Sequence, residues 1–328
     1  MRFTRGHRSP SPSRAAGVAL AALALLATGG GCESTLSNDV FSADIAYLNA
    51  VPRRAVLHLA SAPSPEVDTA ASSALETASN ALGPGTAELW RMTREVTWQI
   101  DHQIFGVLRE LEAVTDTAPT VREDTRRIWG PYRDALSPVE VRLVVTRPAP
   151  GRYAYAYEQR APGGRYTAPV SGTWRAARGV FGQGTILFDF AAAGGQGRVD
   201  VAFERHAGGV NFTLDLDGLA DETTGEIGSA RYEARRDDAG AGELAFTYQA
   251  AAAGQRWAMR SQWRADGSGR ADARVVAAEG ADGADGADGA IVRECWDTAF
   301  ERVFAESPEG SIGDPEACVF EPAEPPTE

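Results

Sequence analysis

From Val139 to Val276 apolar and polar residues alternate in short bursts, each closed by a glycine-rich turn. The clearest burst sets Val210, Phe212, Leu214 and Leu216 against Asn211, Thr213, Asp215 and Asp217. Val139, Val141, Leu143 and Val145 repeat the pattern, as do Tyr153, Tyr155 and Tyr157, then Ile186, Phe188 and Phe190, then Leu244, Phe246 and Tyr248. Connectors such as Ala207-Gly208-Gly209 and Asp266-Gly267-Ser268-Gly269 are hairpin material. A strict period of two with one polar side means an antiparallel sheet buried on one face only. The spacing predicts about ten strands over residues 139–277. A sheet of that size twists and curls, so a half-barrel or a barrel is expected.

Upstream the period changes. Ser37-Asn38-Asp39 is a capping cluster, followed by Val40, Phe41, Ile45 and Leu48 at helical spacing, with Pro52 as a stop. Arg54 to Ala60 reads as an extended segment. Ser64, Pro65 and Glu66 open a second helix that ends at Gly83-Pro84. The strongest helical signal runs from Thr86 to Val114, where Leu89, Met92, Val96, Ile100, Ile104, Val107, Leu111 and Val114 recur every three or four residues. Such a helix is about 43 Å long. A stripe that broad needs a large partner, and the apolar face of the sheet is the natural one. Gly130-Pro131 in the connector 118–138 reads as a turn flanked by packed Trp129 and Tyr132. The expected fold class is therefore α+β: a curved antiparallel β-meander packed on N-terminal helices, one of them long.

Beyond the meander, EGADGADGADGA from Glu279 to Ala290 reads as a flexible acidic linker. Ile291, Cys295, Ala299, Phe300 and Phe304 fit an amphipathic helix. Trp296, Thr298 and Phe300 fit a closing strand almost as well. The proline-rich, acidic end reads as a disordered tail. The expected segments are 1–31, 32–138, 139–277, 278–290, 291–320 and 321–328.

Residues 1–14 carry Arg2, Arg5, Arg8 and Arg14 and no acid, and Ala15 to Ala27 is an apolar run too short to span a membrane. Small residues follow, Thr28-Gly29-Gly30-Gly31, directly before Cys32. This arrangement resembles the lipobox of bacterial lipoproteins, with Gly29 where that family usually has leucine. The resemblance covers 1–32 only. It implies cleavage before Cys32, lipidation of its thiol and attachment to a membrane. Acyl chains contribute roughly 0.8 kcal/mol per buried methylene, so two or three hold a protein on a bilayer. Glu33 follows Cys32 where the family's inner-membrane retention signal has aspartate, so the resemblance implies the outer membrane, facing the periplasm or the surface. A soluble periplasmic or secreted protein is the alternative.

The chain has three cysteines. Lipidation of Cys32 leaves Cys295 and Cys318 as an even pair, and an oxidising envelope favours a disulfide between them. The formal net charge is -13, and loss of residues 1–31 makes it four units more negative. Such a chain repels phosphate backbones and anionic lipid heads, so nucleic acid is not an expected partner. His58, His102 and His206 lie far apart in sequence and fit no metal-ligand or nucleophile pattern. Asp215-Leu216-Asp217-Gly218 lacks the later ligands of a calcium loop and reads as a strand end. No catalytic residue, metal ligand or cofactor is expected. These features point to a non-enzymatic lipoprotein that binds a hydrophobic ligand or an envelope component on its curved sheet. A structural or assembly role without a pocket is the alternative, and a hydrolase is further off.

Overall fold

The computed structural model describes residues 38–54, 85–133, 138–178, 181–220, 227–250, 256–276 and 289–326. Cys32, the second helix, the extended segment beyond Arg54 and most of the acidic linker lie outside these residues. Two α-helices are described, α1 (Asn38–Leu48) and α2 (Glu88–Thr115). The strands follow in chain order: β1 (Val121–Glu123), β2 (Arg126–Arg133), β3 (Glu140–Ala149), β4 (Arg152–Arg160), β5 (Thr167–Ala176), β6 (Gly182–Asp189), β7 (Arg198–His206) and β8 (Gly209–Ala220). Then come β9 (Ile227–Asp237), β10 (Gly242–Ala250), β11 (Arg256–Trp263), β12 (Gly269–Val276), β13 (Ala290–Trp296), β14 (Arg302–Ser307) and β15 (Gly310–Gly313).

All fifteen strands form one antiparallel sheet in strict sequence order, and the sheet is not closed. The ten strands legible in the alternation are β3 to β12. The count was short by five because β1, β2 and β13 to β15 lie in segments read as connector, turn or helix. In β2 the Gly130–Pro131 peptide is cis, and the register shifts between Trp129 and Tyr132. The Gly-Pro pair therefore sits in a bulged strand, not a free turn. Ile291 to Trp296 follow the strand reading, and Trp296 is fully buried. The terminal strands are three and four residues long. Short edges leave little backbone open to pairing with another chain.

The long helix lies where its pattern required, with its buried line rotated in part. Among the described side chains Leu89, Trp90, Thr93, Thr97, Ile104, Leu108, Leu111 and Thr115 are the buried positions, while Met92, Val96, Val107 and Val114 flank them. Three threonines can occupy this line because each hydroxyl bonds the carbonyl four residues back: Thr93 to Leu89, Thr97 to Thr93, Thr115 to Leu111. Packing joins α2 to β11, β12 and β13 and also to β2 and β3. Its first two turns meet β13 through Leu89 and β11 through Thr93, whose hydroxyl bonds Ser261 at 2.8 Å. At its other end Trp129 on β2 donates to the Thr117 carbonyl at 3.0 Å. Laid flat, β3 and β11 would be about 38 Å apart, whereas the helix from Thr93 to Thr115 spans about 33 Å. The sheet therefore arches over the helix.

The inward row of each strand joins one core. Trp129, Leu143, Ile186, Leu244, Met259, Trp263 and Trp296 are essentially inaccessible. Trp90 stacks on Phe300 at 4.4 Å, and Trp174 on Phe203 at 5.7 Å. Several strands reach ten to twelve residues, longer than the alternation alone suggested. Their apolar rows are buried in the shared core. The acidic tail is not a free end, since the chain is tied to the sheet along it: Cys318 is bonded to Cys295, Ala323 N–H reaches Asp272, and Glu324 pairs with Arg274 at 3.0 Å.

Candidate functional site

With the inward apolar row of the strands buried in the core, the accessible face is the polar one. The register organises it across strands. Ala154 faces Thr173, Thr173 faces Thr185, Thr185 faces Ala202, and Ala202 faces Thr213. The row continues through Glu233, Ala245 and Arg260 on β9 to β11. Two residues along each strand lies a second row of longer side chains: Arg152, Arg175, Gln183, Glu204, Asn211 and Arg235. Side chains alternate along a strand, so both rows point away from buried Trp174, Phe203 and Phe212. Small residues beside long ones make a floor beside a wall.

The result is an open trench of about 840 Å³ crossing β4 to β11. Seven strand spacings make it about 34 Å long. A second hollow of about 450 Å³ shares Pro148 with it and is lined by Glu123, Arg126 and Thr146. These three continue the small-residue row register by register, since Ala154 faces Thr146, Thr146 faces Arg126 and Arg126 faces Glu123. The trench presents donors and acceptors of both kinds. Thr173 and Thr185 share a hydroxyl bond of 2.9 Å. Glu243 lies 3.7 Å from Arg235 and 3.6 Å from Arg260, and Glu233 pairs with Arg231 at 3.1 Å.

Among the described residues four buried acids stand elsewhere, each matched by arginine. Asp44 on α1 receives Arg127 at 2.7 Å and Arg122 at 3.0 Å, which fastens α1 to β1 and β2. Glu140 meets Arg160 at 2.7 Å and Arg133 at 3.1 Å and accepts the Tyr166 hydroxyl. Arg142 lies 3.7 Å over the Tyr166 ring. Asp272 is held by Arg270 at 2.9 Å and Arg293 at 3.3 Å under the tail. Glu294 pairs with Arg302. The Tyr166 hydrogen bond, helped by the arginines, holds the Glu140 carboxyl below the usual carboxylate range. Burial pushes Glu294 above it, against the pull of Arg302. Burial, with the Glu110 charge adding, pushes the Tyr157 hydroxyl up to about 12. Each acid is engaged by cations, an arrangement that fixes elements in place.

The expected disulfide is present, with Cys295 and Cys318 5.5 Å apart at Cα. Cys32 and His58 fall outside the described residues, as does the side chain of His102. His206 accepts the Gly208 N–H at 3.1 Å within a hairpin turn. Asp215 is a mid-strand residue paired with Arg231 at 2.8 Å. Among the described residues no three His, Cys, Asp or Glu side chains converge to hold a metal ion. The trench went unread because its signal is cross-strand. Alternate Ala and Thr positions are visible in sequence, but their alignment exists only once the register is known. Set against known proteins, the chain matches no family model, no curated protein and no solved structure.

Proposed function

We propose that the chain is a non-enzymatic lipoprotein of the outer membrane, anchored through Cys32, that holds an extended polypeptide segment of an envelope partner in the polar trench. The observation that carries this is the register-aligned row Ala154, Thr173, Thr185, Ala202 and Thr213 beside its row of long polar side chains. A trench of about 34 Å accommodates about ten extended residues. Mixed donors and acceptors suit a peptide, which offers both along its backbone. The apolar face, where a hydrophobic ligand was expected, shares its core with α1 and α2. That burial supports the polar face as the binding surface.

The test is a photo-crosslinking residue at Thr185 or Thr213 in living cells. The expected result is an adduct at one contiguous stretch of a partner polypeptide, lost when Ala202→Trp fills the floor and missing from a control position at Glu309. Equal adducts from all three positions, or adducts indifferent to Ala202→Trp, would remove the reading. Anchoring is tested separately. Palmitate labelling should disappear in Cys32→Ser, and equal labelling would refute the anchor.

A further inference from the structure

We infer that Arg152 and Arg175 form an anion subsite at one end of the trench, taking a carboxylate or a phosphate group. The inference rests on the trench being the binding surface and names the chemistry of its occupant there. The two residues lie directly opposite each other on β4 and β5, and both line the trench. Opposed residues on one face have Cβ atoms about 5 Å apart, and like charges so placed repel. Both side chains are exposed, and neither guanidinium has a hydrogen bond or ion pair among the described residues. Their neighbours on this face differ. Arg235 and Arg260 share Glu243, Arg231 holds Asp215 and Glu233, and Arg198 holds Asp200 at 2.5 Å.

The nearest acid in their own row is Glu204, two strands beyond Arg175 and about 10 Å away. Acids outnumber arginines by 45 to 32 in this chain, so two adjacent uncompensated guanidiniums run against its composition. Each guanidinium offers a planar fork that matches two oxygens of a carboxylate or phosphate. A further donor is at hand on the floor. The hydroxyls of Thr173 and Thr185 share one hydrogen between them at 2.9 Å, which leaves the other free to donate outward. A bound anion would relieve the repulsion and tie one end of an extended ligand, with Glu204 set to meet a cation further along.

The experiment is isothermal titration calorimetry on the full chain in detergent at low ionic strength, where screening is weak. The probes are inorganic phosphate and two short peptides that differ only by glutamate or glutamine. Phosphate should saturate one site, and Arg152→Ala and Arg175→Ala should each weaken it tenfold or more. Arg198→Ala, which removes a paired arginine of the same face, should leave it unchanged. Thermal melts of each variant verify folding. No saturable phosphate site, or equal weakening by Arg198→Ala, overturns the subsite. Preference for the glutamate peptide with the same arginine dependence supports subsite and polypeptide together. Phosphate binding of the expected kind with neither peptide bound leaves the subsite standing and refutes the polypeptide occupant.

Discussion

Glu294 on β13 accepts the backbone N–H of Leu89 at 2.5 Å, across 205 positions of sequence. The first turn of α2 is thus capped by a strand of the sheet, since Ala87 at its N-cap offers no side-chain bond. A carboxylate there also suits the positive end of the helix dipole. The same residue holds Arg302, while Ala87 N–H reaches the Phe300 carbonyl at 3.0 Å and Trp90 stacks on the Phe300 ring. Glu294→Ala removes cap and ion pair together and takes from the buried Arg302 side chain the carboxylate it faces. The expected loss is about 3–5 kcal/mol, read from urea unfolding. Glu294→Gln keeps an acceptor for Leu89 and should lose less. The pH dependence has a definite sign. Burial raises this acid above the ordinary 4.5, so the folded chain binds its proton more tightly than the unfolded chain. Its contribution is full below 4.5 and is lost as pH rises through the raised value. The fall in stability from pH 4.5 towards neutrality should therefore be shallower in Glu294→Gln, and parallel slopes would refute the assignment.

Glu140 has the opposite sign. Its carboxylate accepts the Tyr166 hydroxyl and faces Arg133 and Arg160, and it is held below 4.5. Its contribution is present above 4.5 and is lost as pH falls through the lowered value. Glu140→Gln should flatten the acid limb of the stability curve and leave the limb above 4.5 unaltered. Tyr166→Phe removes the leading cause and should move the acid limb in the same direction by a smaller amount. A Glu140→Gln acid limb as steep as that of the wild type would show that these groups do not titrate together.

What could be read in advance divides along a physical line. Strands β3 to β12 were legible because one side of each meets a core, and burial writes period two into the sequence. The helix of residues 88–115 was legible for the same reason at period 3.6. Leu89, Ile104 and Leu111 were read correctly in its buried line, whereas Thr93, Thr97 and Thr115 were missed in favour of the residue before each, because they hide their hydroxyls in local bonds that hydropathy does not register. β13 defeated the pattern because Glu294 is a buried charge whose partners, Leu89 and Arg302, come from elsewhere. The tail was misjudged similarly: its contacts, the Cys295–Cys318 bridge and the bonds to Asp272 and Arg274 some 50 residues away, are all distant in sequence. The disulfide was legible by counting alone. The trench was not, because Ala202 reveals its role only beside Thr185 and Thr213.

Two tryptophans lie across the glycines that open neighbouring strands. Gly242 faces Trp263, and Gly269 faces both Trp263 and Trp296. A methyl group on Gly242 would come within 2.3 Å of the Trp263 ring, and one on Gly269 within 2.4 Å of the Trp296 ring. Neither ring can slide away freely, because Trp263 donates to the Gly240 carbonyl at 3.1 Å and Trp296 to Gly267 at 2.8 Å. Both rings are about 1% exposed. Gly242→Ala and Gly269→Ala should each cost about 1–3 kcal/mol through overpacking, with a matching change in near-ultraviolet circular dichroism. Gly240→Ala, with nothing near its Cβ but a φ of +99°, separates backbone strain from ring displacement. It should destabilise without the spectral change. An unaltered tryptophan signal in Gly269→Ala would refute the contact.

The Cys295–Cys318 bridge joins the sheet to the segment that covers its last buried ion pair. Cys295 is fully buried on β13, directly opposite Arg270. Beyond Cys318 the chain runs over the Arg270–Asp272 pair. Arg264 bonds the Val319 carbonyl at 3.0 Å, Ala323 N–H reaches Asp272 at 3.4 Å, and Arg274 pairs with Glu324. These bonds are few, and the ion pair with Glu324 is exposed, so it contributes little. The cross-link, which spans 23 positions, supplies the larger share, about 3 kcal/mol in the chain-entropy description. Cys318→Ser and Cys295→Ser should therefore lower unfolding stability by similar amounts. In either variant chymotrypsin should cut after Phe320 while the sheet stays intact, whereas the oxidised chain should resist. Protection of that site in Cys318→Ser would mean that Asp272 and Arg274 hold the tail without the bridge. Loss of protection would also expose Asp272 to water, and Asp272→Asn should then destabilise the reduced chain far less than the oxidised one.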